Sequence, residues 1–178
     1  MQLQQTVKKN YTFEGKGLHT GKIARMTVCP APEDTGIVFR RTDLGEDALV
    51  PALAENVSNT ARSTTISSGN ASVSTIEHVL SALTGMGVDN ALIDIDNVEV
   101  PILDGSAKPY IDAMWADGFL QQDEPRRYIE IKESIEIRND QTGSVVRIEP
   151  AEEFSYGIKV DFNSRVLGVQ NAQWNDSV

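Results

Sequence analysis

The apolar residues of this chain recur every second position over most of its length and switch to a helical period only twice. The first switch is "VSTIEHVLSALTGMG", where Ile76, Val79, Leu80 and Leu83 fall at helical spacing and Gly85 and Gly87 end the run. The second is "SAKPYIDAMWADG", with Ser106 placed as N-cap, Pro109 in the first turn and Gly118 at the end. Its apolar face is expected to be Tyr110, Ile111, Met114 and Trp115. Around these helices, "IARMTVCPAP", "TGIVFRRTDL" and "NALIDIDNVEV" read as short strands, and Gly15, Gly17 and Gly21 mark a loop region. The pattern is that of an α+β chain.

The polar cluster "QQDEPRR" around Pro125 reads as a linker, giving a first domain over 1–123 and a second segment over 124–178. In the second segment "YIEIKESIEIR" alternates strictly, "NDQTG" is a turn, and "SVVRIEP" and "YGIKVDF" are further strands. No helix follows. Strands with one apolar face need a covering layer, so this segment reads as the opening of an incomplete domain. Uncovered strands recruit partners, and a homo-oligomer is the expectation.

Of 178 residues, 26 are acidic and 16 basic, for a net charge of −10. Nucleic acid and anionic membrane surfaces call for a concentrated basic face and are poor partners for such a chain. No leader and no long apolar run stands out. The one cysteine, Cys29, excludes an intrachain disulfide and fits a reducing cytoplasm.

Only two histidines occur, His19 and His78, and the second follows Glu77 directly. Two readings compete for this pair. Ser74 and Glu77 match a capping box, with Ser74 at N-cap and Glu77 three residues on. Alternatively, adjacent helical residues diverge by roughly 100°, so His78 binds a metal while Glu77 reaches the water on it. A helix N-terminus disfavours protonated imidazole, which keeps His78 able to coordinate. Zincin spacing fails, because Ala82 and Ser74 stand four residues to either side of His78. Other ligands must come from far away in sequence.

Four blocks, "GKGLHTGKIARMTVCPAPEDTGIVFRRTDL", "RSTTI", "VSTIEHVLSALTGMGVDN" and "VPILDGSAKPY", resemble in order and spacing the UDP-3-O-acyl-N-acetylglucosamine deacetylases of lipid A synthesis in Gram-negative bacteria. The resemblance implies two-layer sandwich domains, each a sheet packed on two helices, with the active site between domains. For residues up to about 123 we therefore expect a largely antiparallel sheet carrying both helices on one face. Val79, Leu80, Leu83, Ile93, Ile95, Ile111 and Met114 should lie between the layers. It implies zinc-dependent removal of the N-acetyl group from a UDP-sugar that carries a fatty acyl chain. By position, His78 matches a zinc ligand and Glu77 the general base. His19, in the Gly-Leu-His block near the site, reads equally as a plain loop histidine, and Ser63 falls where some members have cysteine close to the metal. Asp161 and Phe162 match positions that contact the uridine. Asp104 in "LDGSA" matches an acidic family position, and a turn residue ahead of the second helix is the stronger reading of it. Arg40 and Arg41 are candidates to attract the diphosphate, or are simply solvated.

One departure stands beside these matches. The family takes further metal ligands from a His-Lys-x-x-Asp helix and its general acid from a later histidine, and no histidine follows His78 here. The resemblance thus implies an amino-terminal part of the enzyme. Zinc then belongs to the complete enzyme and binds this chain weakly or not at all, and the isolated chain is inactive without the missing C-terminal segment. A non-catalytic module for a UDP-sugar or acyl chain and an interaction scaffold are the alternatives.

Overall fold

The computed structural model describes residues 2–141, 143–153, 155–161 and 164–175. Backbone contacts gather the chain into two units, Met1–Arg126 and Arg127–Val178, each described here by itself.

The first unit contains ten strands and two helices. The strands are β1 (Leu3–Val7), β2 (Tyr11–Lys16), β3 (Ile23–Pro30), β4 (Ile37–Arg41), β5 (Leu49–Pro51), β6 (Val57–Asn59), β7 (Thr65–Ser68), β8 (Ala71–Ser74), β9 (Ala91–Ile95) and β10 (Phe119–Pro125). Helix α1 (Glu77–Gly85) lies between β8 and β9, and α2 (Lys108–Trp115) between β9 and β10. The main sheet runs β2-β3-β9-β4-β5, a smaller one runs β6-β7-β8, and β1 pairs with β10. All pairings are antiparallel except β4 with β9. The architecture is the expected α+β arrangement of helices on a mostly antiparallel sheet.

Alternation decides which side of each strand is buried. Ala91, Ile93 and Ile95 of β9 turn inward, as do Ala24, Met26 and Val28 of β3. Helix α1 adds Val79, Ala82 and Leu83 to this core, and α2 adds Tyr110 and Met114. Phe13 of β2 meets Tyr110 edge-on, with ring centroids 4.8 Å apart. Leu80 and Ile111, expected to be fully buried, are only partly so. Trp115 departs from expectation, at 62% exposed. It follows the fully buried Met114, and the turn of roughly 100° between adjacent helical residues carries its ring away from the core.

Four local expectations need correction. The capping box does not form: Ser74 is the last residue of β8, Ile76 holds the N-cap position and Glu77 is the first helical residue. Ser74 stays extended because its N–H donates to the Val98 carbonyl and its carbonyl accepts from the Val100 N–H. The N-cap of α2 is Ala107, although the Ser106 hydroxyl still accepts the Lys108 N–H at 3.1 Å. The polar run read as a linker is strand β10, whose Gln122 joins an inner amide network. The Asn90 side-chain amide donates to Gln4 at 2.7 Å and to Gln122 at 2.8 Å, and Gln122 in turn donates to the Ala31 carbonyl. Gln122 is the one polar side chain of β10 that this network takes in, and Gln121, Asp123 and Glu124 face outward from a paired strand. Gly15, likewise, lies within β2.

The second unit consists of two hairpins, β11 (Ile135–Asn139) with β12 (Ser144–Ile148), and β13 (Ser155–Asp161) with β14 (Val169–Asn175). Gly143, at φ 73°, closes the first by donating its N–H to the Asn139 carbonyl. Of the alternating run that begins at Tyr128, only Ile135 onward is strand, and β14 was not foreseen from "NAQWNDSV". Tyr156 and Trp174 stack across the second hairpin, 5.5 Å between centroids. None of the described residues of this unit is buried.

Candidate functional site

The turn between β8 and α1 sets the direction in which Glu77 and His78 leave the fold. Thr75 makes this turn with φ 60°, a left-handed conformation that is rare and costly for a β-branched residue. It is held from both sides. Its N–H donates to the Thr64 carbonyl at 3.0 Å, and its buried hydroxyl donates to Glu99 Oε1 at 3.0 Å. The helix then begins at once, and Glu77 and His78, both half-buried, occupy its first turn. An acidic side chain is favoured there by the helix dipole. Glu77 Oε2 accepts the Thr64 N–H at 3.2 Å, which ties the carboxylate to the residue after Ser63.

Glu99 was not singled out by the sequence. It is 1% exposed. Its Oε1 accepts the His19 N–H at 2.9 Å and its Oε2 the Thr20 N–H at 2.8 Å, in addition to the Thr75 hydroxyl. Burial alone would push its pKa up. The N–H donors of His19 and Thr20, with the hydroxyls of Thr20 and Thr75, outweigh that effect and hold the carboxyl below its ordinary value. Gly17 makes room for it: a Cβ there would overlap Glu99 Oε2 and stand 2.6 Å from Thr20 Oγ1. The available signal was an acid between Val98 and Val100 near the end of the strand-like run "NALIDIDNVEV", which alternation alone reads as solvent-facing.

The remaining candidates divide sharply. His19 is exposed, with its backbone anchored on Glu99, and Ser63 is half-buried beside Thr64. His19 therefore belongs to the hydrogen-bonded chain that runs His19–Glu99–Thr75–Thr64–Glu77, and Ser63 adjoins it only as the residue before Thr64. Asp104 is a turn residue, accepting the N–H and the hydroxyl of Ser106, both at 2.9 Å. Neither arginine is left for a diphosphate. Arg40 forms a two-pronged pair with Asp94 at 2.7 and 2.8 Å and reaches Glu46. Arg41 forms one with Asp43 and also donates to the Ser72 carbonyl. Asp161 is exposed at the end of β13 in the second unit, and Phe162 lies outside the described residues.

A catalytic zinc takes three protein ligands and keeps one position open. Among the described residues no three His, Cys, Asp or Glu side chains converge to hold a metal. The described donor set therefore does not fit a complete zinc shell. What this unit offers chemically is a carboxylate and an imidazole on successive positions of a helix start. Glu77 Oε1 accepts no hydrogen bond among the described residues and has lone pairs available for a proton. No helix among them is long and apolar enough to cross a membrane.

Comparison with known proteins points to the same family as the motif blocks. A family model described as LpxC: UDP-3-O-acyl N-acetylglycosamine deacetylase matches residues 4–177. A bifunctional enzyme LpxC/FabZ of Porphyromonas gingivalis is 44% identical over 172 residues, covering 97% of this chain and 37% of the relative. A UDP-3-O-acyl-N-acetylglucosamine deacetylase of Thioalkalivibrio sulfidiphilus is 41% identical, covering 96% of this chain and 56% of its own length. The corresponding deacetylase of Cellvibrio japonicus is 40% identical, with 92% and 54% covered. The chain thus spans about half the length of the curated deacetylases it matches, or less. With a family match over nearly its whole length and relatives at this identity, the chain belongs to the UDP-3-O-acyl N-acetylglycosamine deacetylase family.

Proposed function

We propose that this chain carries the first half of a zinc-dependent deacetylase site acting on UDP-3-O-acyl-N-acetylglucosamine in lipid A synthesis in the cytoplasm of a Gram-negative bacterium. The observation that supports this most directly is the placement of Glu77 and His78 together in the first turn of α1, launched from a strained and doubly held turn. In this reading His78 is one metal ligand, and Glu77 is the base that takes a proton from the attacking water. His19 and Ser63 border the substrate beside them. Asp161 and Phe162 belong to the nucleotide end of the substrate.

The remaining metal ligands and the general acid come from a further segment, and the 178-residue chain alone does not turn over. The test is acetate release from the UDP-sugar by the purified chain with added zinc, then with the residual segment of the Thioalkalivibrio relative supplied in trans. Turnover only in the mixture, abolished by His78→Ala, is the expected result. Zinc-dependent turnover by the chain alone would overturn the division of the site proposed here.

A further inference from the structure

We propose that Glu99 is a positioning residue for the deacetylase reaction, its buried carboxylate clamping the His19–Thr20 loop to the turn that launches Glu77 and His78. The proposal deepens the reading just given and rests on it for the roles of Glu77 and His78. The clamp itself rests on geometry alone. A carboxylate at 1% exposure is costly unless its oxygens are satisfied. Here no cation contributes to that satisfaction. The N–H groups of two successive residues, His19 and Thr20, address one oxygen each. The third donor is the hydroxyl of Thr75, the residue in the left-handed conformation.

Each partner has a direct link to the candidate site. Thr75 precedes Glu77 by two residues and donates its N–H to Thr64, whose own N–H is donated to Glu77. Without Glu99, the Thr75 hydroxyl would be a buried donor with no acceptor, and its left-handed turn would lose one of its two restraints. The His19 loop would lose both backbone anchors at once. Gly17 fits the same account, because any side chain there would displace either the carboxylate or Thr20. A role in stability alone needs only a well-packed apolar side chain. It does not need a charged group joining these two segments.

The test begins with the unmutated 178-residue chain. Coupling measured by NMR across the hydrogen bonds from the His19 and Thr20 amides to the Glu99 carboxylate should be present, and its absence would overturn the clamp. Glu99→Gln keeps the shape but turns an amide NH2 toward an N–H. We expect hydrogen exchange to accelerate at least about tenfold more at His19, Thr20 and Thr64 than at Val28 or Ile93 in the core. Gly17→Ala, which expels the carboxylate without removing its charge, should give the same local pattern. Uniform acceleration across core and loop would show a purely structural group and defeat the proposal.

In the completed assembly, Glu99→Gln should lower kcat about tenfold with KM little changed, relative to Ile111→Ala, a control partly buried on α2 and remote from the clamp in sequence. An equal loss in the control, per degree of melting temperature, would also defeat it. If the unmutated assembly shows no turnover, the proposed function fails, while the exchange pattern at Thr64 still decides whether Glu99 positions Glu77.

Discussion

Strands β9 and β11 are written in nearly the same code and end in opposite states. "ALIDI" and "IEIRN" both place an apolar residue at every second position from their first, with Asn139 ending the second run. In β9 the inward residues Ala91, Ile93 and Ile95 are fully buried, whereas in β11 Ile135 is 46% and Ile137 68% exposed. Both strands have their backbone paired, β9 on two sides and β11 on one. The difference is the second layer. In the first unit α1 and α2 cover the sheet, and in the second unit no described helix exists. Alternation specifies a strand and its two faces, but burial of a face comes from whatever packs against it.

The most severe way to break this contrast is to damage the covered layer. Leu83→Ala should cost roughly 2–5 kcal/mol in urea unfolding. A cost below about 1 kcal/mol would mean that the helix layer is not what stabilises the sheet. Next in size is the amide network under β1 and β10. Asn90→Ala removes one donor each from the Gln4 and Gln122 amide oxygens and the acceptor of the Gly36 N–H, and should cost about 1–3 kcal/mol, read from the same unfolding curves.

A smaller effect distinguishes the units by pH. Glu99 has its folded pKa lowered, so its contribution is complete above the unfolded carboxylate value of about 4.3. It is lost as pH falls through the lowered folded value. Stability of the first unit should therefore decline with acid in that window, and less steeply in Glu99→Gln. An identical acid profile in the variant would remove Glu99 from the account. The smallest effect is expected at the exposed face. Ile137→Ser should change stability by no more than about 0.5 kcal/mol, yet reduce apolar-dye binding and any self-association seen by ultracentrifugation. A large loss of stability would mean that this face is already covered in solution.

The sequence revealed periods and missed partners. The helix positions, the two glycine stops of α1 and the part of the core that lies on the helices and β9 (Ile76, Val79, Leu83, Ile93, Ile95, Tyr110 and Met114) followed from apolar spacing. The capping box failed because Ser74 had a stronger obligation to the backbone of Val98 and Val100, far away in sequence. β10 looked like a linker because its pairing partner is β1 and its Gln122 is satisfied by Asn90 and Ala31, none of which a local window contains. Glu99 escaped notice for the same reason, as its three donors come from residues 19, 20 and 75. The Glu77–His78 pair was visible because its chemistry is written in two adjacent letters. The clamp behind it is written across eighty positions.

The pairing of β1 with β10 has a mechanical consequence. Leu3 sits opposite Pro125, and the Arg126 N–H donates to the Gln2 carbonyl, so the first unit is entered and left at one spot. A load applied between residues 2 and 126 pulls apart neighbouring ends of an antiparallel ladder. Its hydrogen bonds then break one at a time, as in a zipper, and not all together in shear. The unit is therefore soft along the line of its own attachment points. A single-molecule pull from those two positions should open it at lower force than a pull from Gln2 against Phe119, at the far end of the same ladder. The same geometry lets the unit be inserted into another protein as a closed cassette, since host and guest need meet at only one place.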